Sequence, residues 1–450
     1  MQNVLILGAG MVVKPIVNYL LNKEIKITVA TRTKSRAESM IGNHRLGTAL
    51  EWTVNDEAGL DKIIAKHDLV VSLLPWAYHP LVARYCLKHK KNMVTTSYVK
   101  PEMKALDDEA KKAGIIILNE LGLDPGIDHM SAMRIIDHIH NKGGEVEGFY
   151  SLCGALPAPG SAGNPFKYKF SWSPKGVIMA GNNEGQFLRE GRIIKVPSED
   201  LFKNPLQIDF PGTGSEILEA YPNRDSLPYI DLYGIPEAKT MIRGTFRYPG
   251  WCEILDAMKH LDLLSVEQKD FSGKTYTQFM AMMAGGKDAA GIKDRVAGCL
   301  GLSPDSLPLY ALEWLGLFEE RAMNRETASP FEIVSDLMIE KMMLGKNERD
   351  MVAMQHIFLA SYPGGNKEVI KSTLLDFGSP ATDTSVARTV ALPAAIGTEL
   401  ILNKKISTKG VHIPVLPEIY NPILDNLERM DIKMTEEYGL PESEFAGTKD

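Results

Sequence analysis

Residues 4–33 have the sequence VLILGAGMVVKPIVNYLLNKEIKITVATRT. The apolar run Val4–Leu7 predicts a strand, the glycine-rich segment after it a turn that leads into a helix, and the apolar run Ile25–Ala30 a second strand. In such a strand–turn–helix–strand unit, the N-terminus of the helix binds the pyrophosphate of a dinucleotide. Gly8 would permit the tight turn, and Gly10 would let the phosphate approach the backbone. The alternative is a packing unit with the same turn and no cofactor.

The residues that end the second predicted strand indicate which dinucleotide would be bound. An NAD-specific site usually has an Asp or Glu there, which binds the ribose 2′-hydroxyl. This chain has Thr31, Arg32 and Thr33 instead. A guanidinium with two neighbouring hydroxyls suits a 2′-phosphate, because arginine is always charged and binds phosphate through two hydrogen bonds. We therefore predict NADP(H), against the alternative of a solvated basic turn. Val13 departs from the small residue that is usual at the third position of the motif.

Length and composition limit the classes of protein to which the chain can belong. A chain of 450 residues is too long for one ordinary core, so we expect two or three domains. Its net charge of −7 disfavours nucleic-acid binding as the main role, so an anionic substrate must be bound by local Arg or Lys residues. We find no signal segment, no uninterrupted apolar stretch that approaches a membrane span, and no CxxC pair. His138 and His140, two apart on a predicted helix, cannot face one metal ion. These features predict a cytoplasmic protein with no nucleic-acid partner, no membrane partner and no metal site.

Predicted strands and helices alternate from residue 33 to about residue 118. Together with the first two strands they give six strands, which predicts a doubly wound α/β sheet in the order 3-2-1-4-5-6. Ligands of such sheets bind beyond the carboxyl ends of the strands. The loops expected there are 74–76, 96–98 and 119–126.

The pattern changes at about residue 145. Alternating residues from 146 to 153, and β-rich stretches near 192–196 and 239–248, predict a mixed α/β domain. Residues from about 252 to 350 are mainly helical by period, which predicts a small α-helical domain or insertion.

In the loop expected after the sixth strand, which has the sequence NELGLDPGIDH, two aspartates, Asp124 and Asp128, flank a Pro-Gly turn. At least one is a candidate for proton transfer, because the nicotinamide of a bound cofactor should lie at this edge of the sheet. The alternative is structural: Asp128 is the N-cap of the following helix, and Asp124 belongs to a turn. Ser97 and Tyr98, in the loop after the fifth strand, can bind substrate or donate a proton.

The second half of the chain offers an aromatic residue, two arginines and a cysteine. Trp172 lies in the polar segment YKFSWSP, where packing alone explains it poorly. Arg224 and Arg243 are the local cations that an acidic protein needs for carboxylates, although a surface ion pair is the alternative for each. Cys153, expected at a strand end, is a small packing group rather than a nucleophile, since no histidine is near it in the sequence.

Four blocks of sequence together resemble the glutamate-forming saccharopine dehydrogenases, a family also called saccharopine reductases. They are LGAGMVVKP (7–15), NELGLDPGIDH (119–129), CGALPAP (153–159) with NPFKYKFSWSPKGV (164–177), and IRGTFRYPG (242–250). The resemblance runs nearly end to end and implies an NADP(H)-dependent homodimer with three domains. These would be a Rossmann dinucleotide-binding domain (1–125 and 395–450), an α/β substrate-binding and dimerisation domain (126–255 and 350–394), and a small α-helical domain (256–349).

The resemblance also implies roles for individual residues. The cofactor would be bound by Gly8, Gly10, Met11, Val12, Thr31, Arg32, Thr33, Leu123, Asp124, Pro125, Trp172 and Ser173. Saccharopine would be bound by Ser97, Tyr98, Asp124, Arg224, Arg243, Gly244 and Thr245. The candidates for catalytic proton transfer are Tyr98, Asp124 and Cys153, with Asp128 and His129 behind them. The amine of the substrate can also accept a proton.

The implied reaction interconverts saccharopine and water with L-glutamate and aminoadipate 6-semialdehyde through an imine. Saccharopine carries three carboxylates, so such an enzyme needs more than one arginine. Two alternatives stay open. A related polyamine-forming reductase, of the carboxynorspermidine or homospermidine type, would favour acidic pockets over paired arginines. A non-catalytic NADP-binding protein would need no second domain lined by Trp and Arg. The direction in which the cell runs the reaction is also open.

Overall fold

The computed structural model describes residues 2–215, 217–286 and 288–445. The first part of the chain forms β1 (Asn3–Leu7), α1 (Lys14–Asn22), β2 (Lys26–Thr31), α2 (Lys34–Ile41), β3 (Gly47–Glu51), α3 (Glu57–Ala65), β4 (Leu69–Ser72), α4 (His79–His89), β5 (Asn92–Thr95), α5 (Pro101–Lys104), α6 (Asp107–Ala113), β6 (Ile116–Leu118) and α7 (Ile127–Asn141).

The middle part forms β7 (Glu145–Pro157), α8 (Pro174–Met179), β8 (Gly185–Arg189), β9 (Arg192–Val196), β10 (Leu206–Asp209), β11 (Ile217–Pro222), α9 (Pro228–Tyr233), β12 (Thr240–Arg247), α10 (Trp251–His260), β13 (Lys269–Asp270), α11 (Tyr276–Met283), α12 (Ile292–Leu300), α13 (Leu307–Leu315), β14 (Thr327–Ala328), α14 (Pro330–Met342), β15 (Asp350–Ser361) and β16 (Lys367–Phe377). The last part forms α15 (Ser385–Leu402), β17 (Gly410–His412), α16 (Pro417–Glu428) and β18 (Thr435–Leu440).

The chain divides into two compact units. Unit 1 comprises the chain up to Gly144 and Ser372–Glu436, and unit 2 comprises Glu145–Lys371 and the chain from Glu437 onward. Residues 126–144 and 372–394 pack in unit 1, because α7 packs on α16 and α15 packs on α1. The division into three domains stays a prediction.

Unit 1 is built on a parallel sheet that has seven strands among the described residues, in the order β17-β6-β5-β4-β1-β2-β3. This confirms the Rossmann fold and the predicted strand order. β1 and β4 are almost entirely buried, which explains their continuous apolar sequences, since helices cover both faces of such a sheet. The strand β17, which comes from the C-terminal segment and pairs with β6, was missed because only three residues form it.

The turn between β1 and α1 has the geometry that its glycines predict. Gly8 has a φ of +110°, and a Cβ at this position would lie 2.9 Å from the carbonyl oxygen of Leu73. A side chain is therefore excluded at Gly8 by both backbone conformation and space. Val13 is the N-cap residue of α1 and is 1% exposed. The unusual residue at the third motif position thus packs in the core.

Unit 2 is built on a mixed sheet that has nine strands among the described residues. The main path is β10-β11-β12-β7-β15-β16-β18, and β8 pairs with β12 and β9. The strand β7 is central, parallel to β12 and antiparallel to β15. The predicted mixed α/β domain is confirmed. The strand end expected at Cys153 is wrong, because β7 stays paired with β15 up to Pro157, although its pairing with β12 ends at Cys153.

Unit 2 is mainly helical between β12 and β15. Helices α10 to α14 follow one another there, with the short antiparallel pair β13–β14 between them. The helices α11 and α14 begin with capping boxes formed by Thr275 with Gln278 and by Ser329 with Glu332. This confirms the helical content that the period predicts for residues 252–350.

Within the part of the chain that the structure describes, one helix, α15, is long and apolar enough by length and composition to cross a membrane. Arg388 and Glu399 interrupt its apolar sequence, and 72% of its residues are buried inside the structure. Tyr19 of α1 donates a hydrogen bond to Glu399, and Lys23, the C-cap of α1, forms an ion pair with it. These contacts are typical of a core helix.

Candidate active site

The glycine turn opens onto a groove in unit 1. The groove has a volume of about 510 Å³, and its lining includes Gly10, Met11, Lys14, Ser35, Arg36 and Asp383. No atom lies within 4 Å of a Cβ built on Gly10, so the backbone there is open to a ligand. The first turns of α1 and α2 contribute to the lining, and helix N-termini favour anions because of their free N–H groups and their dipole. The residues therefore fit the phosphates of a dinucleotide.

The residues expected to select NADP(H) precede two groove-lining residues, Ser35 and Arg36, in the chain. Thr31 ends β2, and Arg32 and Thr33 follow it as exposed residues. Ser35 and Arg36, in the first turn of α2, line the groove itself, and sequence reasoning missed both. The available signal was that the basic segment continues as TRTKSR to residue 36.

Two loops meet at the carboxyl edge of the parallel sheet. The hydroxyl of Tyr98, in the loop after β5, donates a 2.8 Å hydrogen bond to Oδ1 of Asp124, in the loop after β6. Both residues are half-buried, and Leu123 and Pro125 beside Asp124 are buried. The structure thus brings together the proton-transfer candidates that the sequence placed in these two loops.

The loop after β6 turns tightly into α7. Gly126 is the N-cap of α7 with a φ of +148°, and a Cβ there would lie 2.0 Å from the carbonyl oxygen of Gly122. Asp128 lies inside the first turn, so the alternative that it is the N-cap of the helix is wrong. Its Oδ1 accepts a 2.6 Å hydrogen bond from the backbone N–H of Gly126 instead. The carboxylate therefore satisfies the N-cap backbone from within the helix.

A second buried carboxylate, Glu120, lies behind the loop and was missed by sequence reasoning. Glu120 Oε2 is 2.8 Å from Nε2 of His129, and Glu120 Oε1 accepts a 2.8 Å hydrogen bond from the backbone N–H of Val99. Glu120 is 4% exposed and His129 is 0% exposed. His129 Nδ1 also lies 3.8 Å from Asp128 Oδ2. The available signal was an acid and a histidine on either side of the LGLDPGID turn.

His79 is a further buried polar residue at this edge of the sheet. Its Nδ1 is 2.9 Å from the hydroxyl of Ser72, and its Nε2 is 2.8 Å from that of Ser97 and 3.1 Å from that of Thr95. Burial lowers the pKa of His79 to about 4. The ring is therefore neutral at neutral pH, and it joins the ends of β4 and β5 to the predicted substrate-binding residue Ser97.

In unit 2, the site candidates lie on one face of the central strands. Side chains alternate between faces along a strand, so Arg243 and Thr245 of β12 share one face. Their register partners on β7 are Ser151 and Cys153, respectively. Gly244 lies between them and faces the opposite side of the sheet, where a Cβ would lie 2.7 Å from the side chain of Leu152. We call this surface of Ser151, Cys153, Arg243, Thr245 and Arg247 the β12 face.

The two arginines of the β12 face lie against aromatic rings. The guanidinium of Arg243, a residue that is 3% exposed, lies 4.2 Å from the ring centroid of Tyr229. That of Arg247, also 3% exposed, lies 4.8 Å from the ring of Tyr168 and 5.2 Å from that of Trp251. Aromatic faces stabilise buried cations. Sequence reasoning missed Arg247, although it lies in the same block as Arg243.

The remaining candidates of unit 2 occupy its loops. Arg224, with a φ of +60°, is exposed in the turn after β11. Trp172 is half-buried and Ser173 is exposed, just before α8. Cys153 is 6% exposed within β7, which fits the packing role as well as a role in the site. No group of three metal-ligating side chains is found among the described residues.

Known proteins resemble this chain over nearly its whole length. The family model for the saccharopine dehydrogenase NADP binding domain matches residues 4–118, and that for the saccharopine dehydrogenase C-terminal domain matches residues 122–432. This chain belongs to the saccharopine dehydrogenase family.

Relatives within the family carry the predicted activity in their names. Saccharopine dehydrogenase (NADP+, L-glutamate-forming) of Schizosaccharomyces pombe is 37% identical over 97% of this chain and 99% of that protein. The enzyme of the same name from Saccharomyces cerevisiae is 38% identical over 95% of this chain and 97% of that protein. The mitochondrial alpha-aminoadipic semialdehyde synthase of Bos taurus is 36% identical over 96% of this chain, which corresponds to 47% of that longer protein.

A solved structure shows the same fold. Apo saccharopine dehydrogenase (L-Glu forming) from Saccharomyces cerevisiae superposes with a TM-score of 0.89 at 35% identity, over 97% of this chain and 100% of that one. The family resemblance and the α/β fold class inferred from sequence are therefore confirmed.

Proposed function

We propose that this chain is an NADP-dependent oxidoreductase that interconverts saccharopine and water with L-glutamate and aminoadipate 6-semialdehyde. The observation that carries the proposal is the similarity to three fungal enzymes of that name, at 36–38% identity and over nearly their full length. The similarity includes both units, so it extends to the β12 face as well as the dinucleotide-binding sheet.

The cofactor NADP(H), when bound, accepts or supplies the hydride of this reaction. Gly8, Gly10, Met11 and Val12 would approach its pyrophosphate through the backbone. Thr31, Arg32 and Thr33 would bind its 2′-phosphate, and the groove adds Arg36 and Lys14 as further cations. Leu123, Asp124, Pro125, Trp172 and Ser173 are the further proposed cofactor contacts.

Substrate binding would use both cations and hydroxyl groups of the chain. Arg224, Arg243 and Thr245 would bind carboxylates of saccharopine, and the backbone at Gly244 would lie beside them. The exposed position of Arg224 and the stacking of Arg243 on an aromatic ring support this, since a guanidinium binds a carboxylate through two hydrogen bonds. Ser97, Tyr98 and Asp124 would bind the substrate in unit 1.

Proton transfer would involve Tyr98, Asp124 or Cys153, or the amine of the substrate itself. Tyr98 donates to Asp124, so a proton can pass between the phenol and the carboxylate along one 2.8 Å hydrogen bond. Oxidation of the secondary amine removes one hydride and one proton. Water then adds to the imine, and the carbon–nitrogen bond breaks to release L-glutamate and the semialdehyde. We also propose a homodimer in the cytoplasm, as the family resemblance implies.

An assay with purified protein tests the proposal. The chain is mixed with saccharopine and NADP+, and the absorbance of the reduced nicotinamide is followed while L-glutamate is measured separately. We expect one L-glutamate for each reduced cofactor, and a lower rate with NAD+. Reduction of a polyamine-derived imine without turnover of saccharopine would instead indicate the polyamine-forming type. Cofactor binding without any turnover would indicate a non-catalytic NADP-binding protein.

A further inference from the structure

The loop that carries Tyr98 is held from both sides by one residue, Glu120. The backbone N–H of Glu120 donates a 3.2 Å hydrogen bond to the carbonyl oxygen of Ser97, and Glu120 Oε1 accepts a 2.8 Å bond from the N–H of Val99. Ser97 and Val99 are the two neighbours of Tyr98 in the chain. The backbone of Tyr98 is therefore fixed by the main chain of Glu120 on one side and by its carboxylate on the other.

The Glu120 carboxylate is in turn held by α7. His129 lies in the first turn of that helix with 0% exposure, and its Nε2 is 2.8 Å from Glu120 Oε2. With Glu120 ionised, His129 donates this hydrogen bond through Nε2, because a carboxylate only accepts hydrogen bonds. Two donors from two elements thus bind the two oxygens of one buried carboxylate. A buried charge requires such partners, because leaving it unpaired is costly.

Glu120 also has an unfavourable backbone conformation. Its φ of +58° lies in the left-handed region, which residues with a Cβ rarely adopt. Such a conformation persists only where surrounding contacts determine it, and it is frequent at functional sites. The conformation lets the main chain of Glu120 face Ser97 while its side chain reaches Val99.

From these contacts we infer that Glu120 and His129 are positioning residues for the Tyr98–Asp124 pair. Glu120 fixes the loop of Tyr98, while Glu120 itself begins the loop that carries Asp124 four residues later. One buried carboxylate thereby sets the distance between a phenol and a carboxylate that come from two different loops. The inference rests on the proposed function, in which Tyr98 and Asp124 bind saccharopine.

Paired variants of Glu120 and His129 test the inference by steady-state kinetics with saccharopine and NADP+. Glu120→Ala removes both side-chain hydrogen bonds, and we expect the KM for saccharopine to rise about tenfold, with kcat changed less than threefold. Glu120→Gln keeps an acceptor for the N–H of Val99 and a polar group for His129. We expect its KM for saccharopine to stay close to that of the wild type. His129→Phe keeps the bulk and removes the donor, whereas His129→Gln retains an N–H at the position of Nε2.

Asp56→Ala is the matched control. Asp56 also accepts a hydrogen bond from a backbone N–H, that of Gly59 at 2.8 Å, but it does so at the start of α3.

A double-variant cycle separates positioning from general stability. If Glu120 acts through Tyr98, then Glu120→Ala should raise KM little further in a Tyr98→Phe background. Additive effects on KM would overturn the inference, as would wild-type KM in both Glu120→Ala and His129→Phe. If Glu120→Ala does not fold, the comparison of His129→Phe with His129→Gln decides, and equal KM values in those two would overturn it. If Tyr98→Phe and Asp124→Asn both keep the wild-type KM, their proposed role in substrate binding fails, and the inference fails with it.

Discussion

The loops around Tyr98 in unit 1 and the β12 face in unit 2 use different means to hold polar groups in place. Around Tyr98, hydroxyls, carboxylates and histidines are joined by hydrogen bonds, as in Tyr98–Asp124 and Glu120–His129. On the β12 face, Arg243 and Arg247 lie against aromatic rings. A loop has no ladder to fix its backbone and requires side-chain bonds, whereas a central strand is already fixed by its neighbours. In our proposal, the first region controls the position of the reacting groups, and the second provides positive charge for the substrate.

The largest expected effect is the change in the free energy of unfolding when His79 gains a proton. It tests whether the hydrogen bonds of His79 in unit 1 require a neutral ring. Its pKa is lowered by burial from 6.5 to about 4, so the unfolded chain binds the proton more tightly than the folded one. Its contribution to stability is therefore complete above pH 6.5 and is lost as the pH falls from 6.5 to about 4. The loss amounts to about 3 kcal/mol.

The measurement is the free energy of unfolding by urea at pH 7 and at pH 4, for the wild type and for His79→Asn. The variant lacks the titrating ring, so its stability should fall less between the two pH values. An equal decrease in both proteins would show that His79 does not titrate in this way.

Arg243→Ala tests whether the β12 face provides charge for the substrate. We expect the KM for saccharopine to rise about fiftyfold, because a buried cation that binds a carboxylate is lost. Arg224→Ala should have a smaller effect, about fivefold, because Arg224 is exposed and water competes for its guanidinium. Unchanged kinetics in both variants would remove these residues from the substrate site.

Arg32→Asp tests the cofactor assignment in unit 1. The substitution replaces a cation suited to a 2′-phosphate by an acid suited to a 2′-hydroxyl, so the ratio of kcat/KM for NADP+ to that for NAD+ should fall about tenfold or more. Arg36→Ala, in the groove itself, should lower the efficiency with NADP+ without improving that with NAD+. A constant ratio in Arg32→Asp would contradict the assignment of the 2′-phosphate.

The smallest expected effect concerns the cysteines, whose reactivity with a thiol reagent depends on their burial. Burial raises the pKa values of the Cys86 and Cys252 thiols, and Glu219 adds to the effect at Cys252. Cys299 is exposed. In the native protein, a thiol reagent followed by mass spectrometry should therefore modify Cys299 first and Cys86 and Cys252 only after denaturation. Rapid native labelling of Cys252 would show that α10 opens in solution.

The sequence predicts most of the parallel sheet and few of the contacts that complete the site. Continuous apolar strands and the glycine turn determine β1 to β6, because these features are local. The hydrogen bonds of Glu120, His129 and His79 join different loops and helices, so the sequence shows these residues but not which groups they contact. The pairing of Thr245 with Cys153 depends on strand register across many intervening residues. The position of Cys153 inside β7 was missed for the same reason.

The order of the segments along the chain has a consequence for synthesis on the ribosome. Unit 1 is interrupted after Gly144 and resumes at Ser372. The strand β6 therefore cannot pair with β17, and α1 cannot pack on α15, until the whole intervening segment has been translated. At typical elongation rates this delay is roughly 10 to 50 seconds. During that time the nascent dinucleotide-binding unit has an unpaired strand edge and an uncovered apolar helix face, which are surfaces that chaperones bind. A ribosome-bound fragment that ends before residue 372 should therefore be more sensitive to protease in its first 144 residues than the released chain.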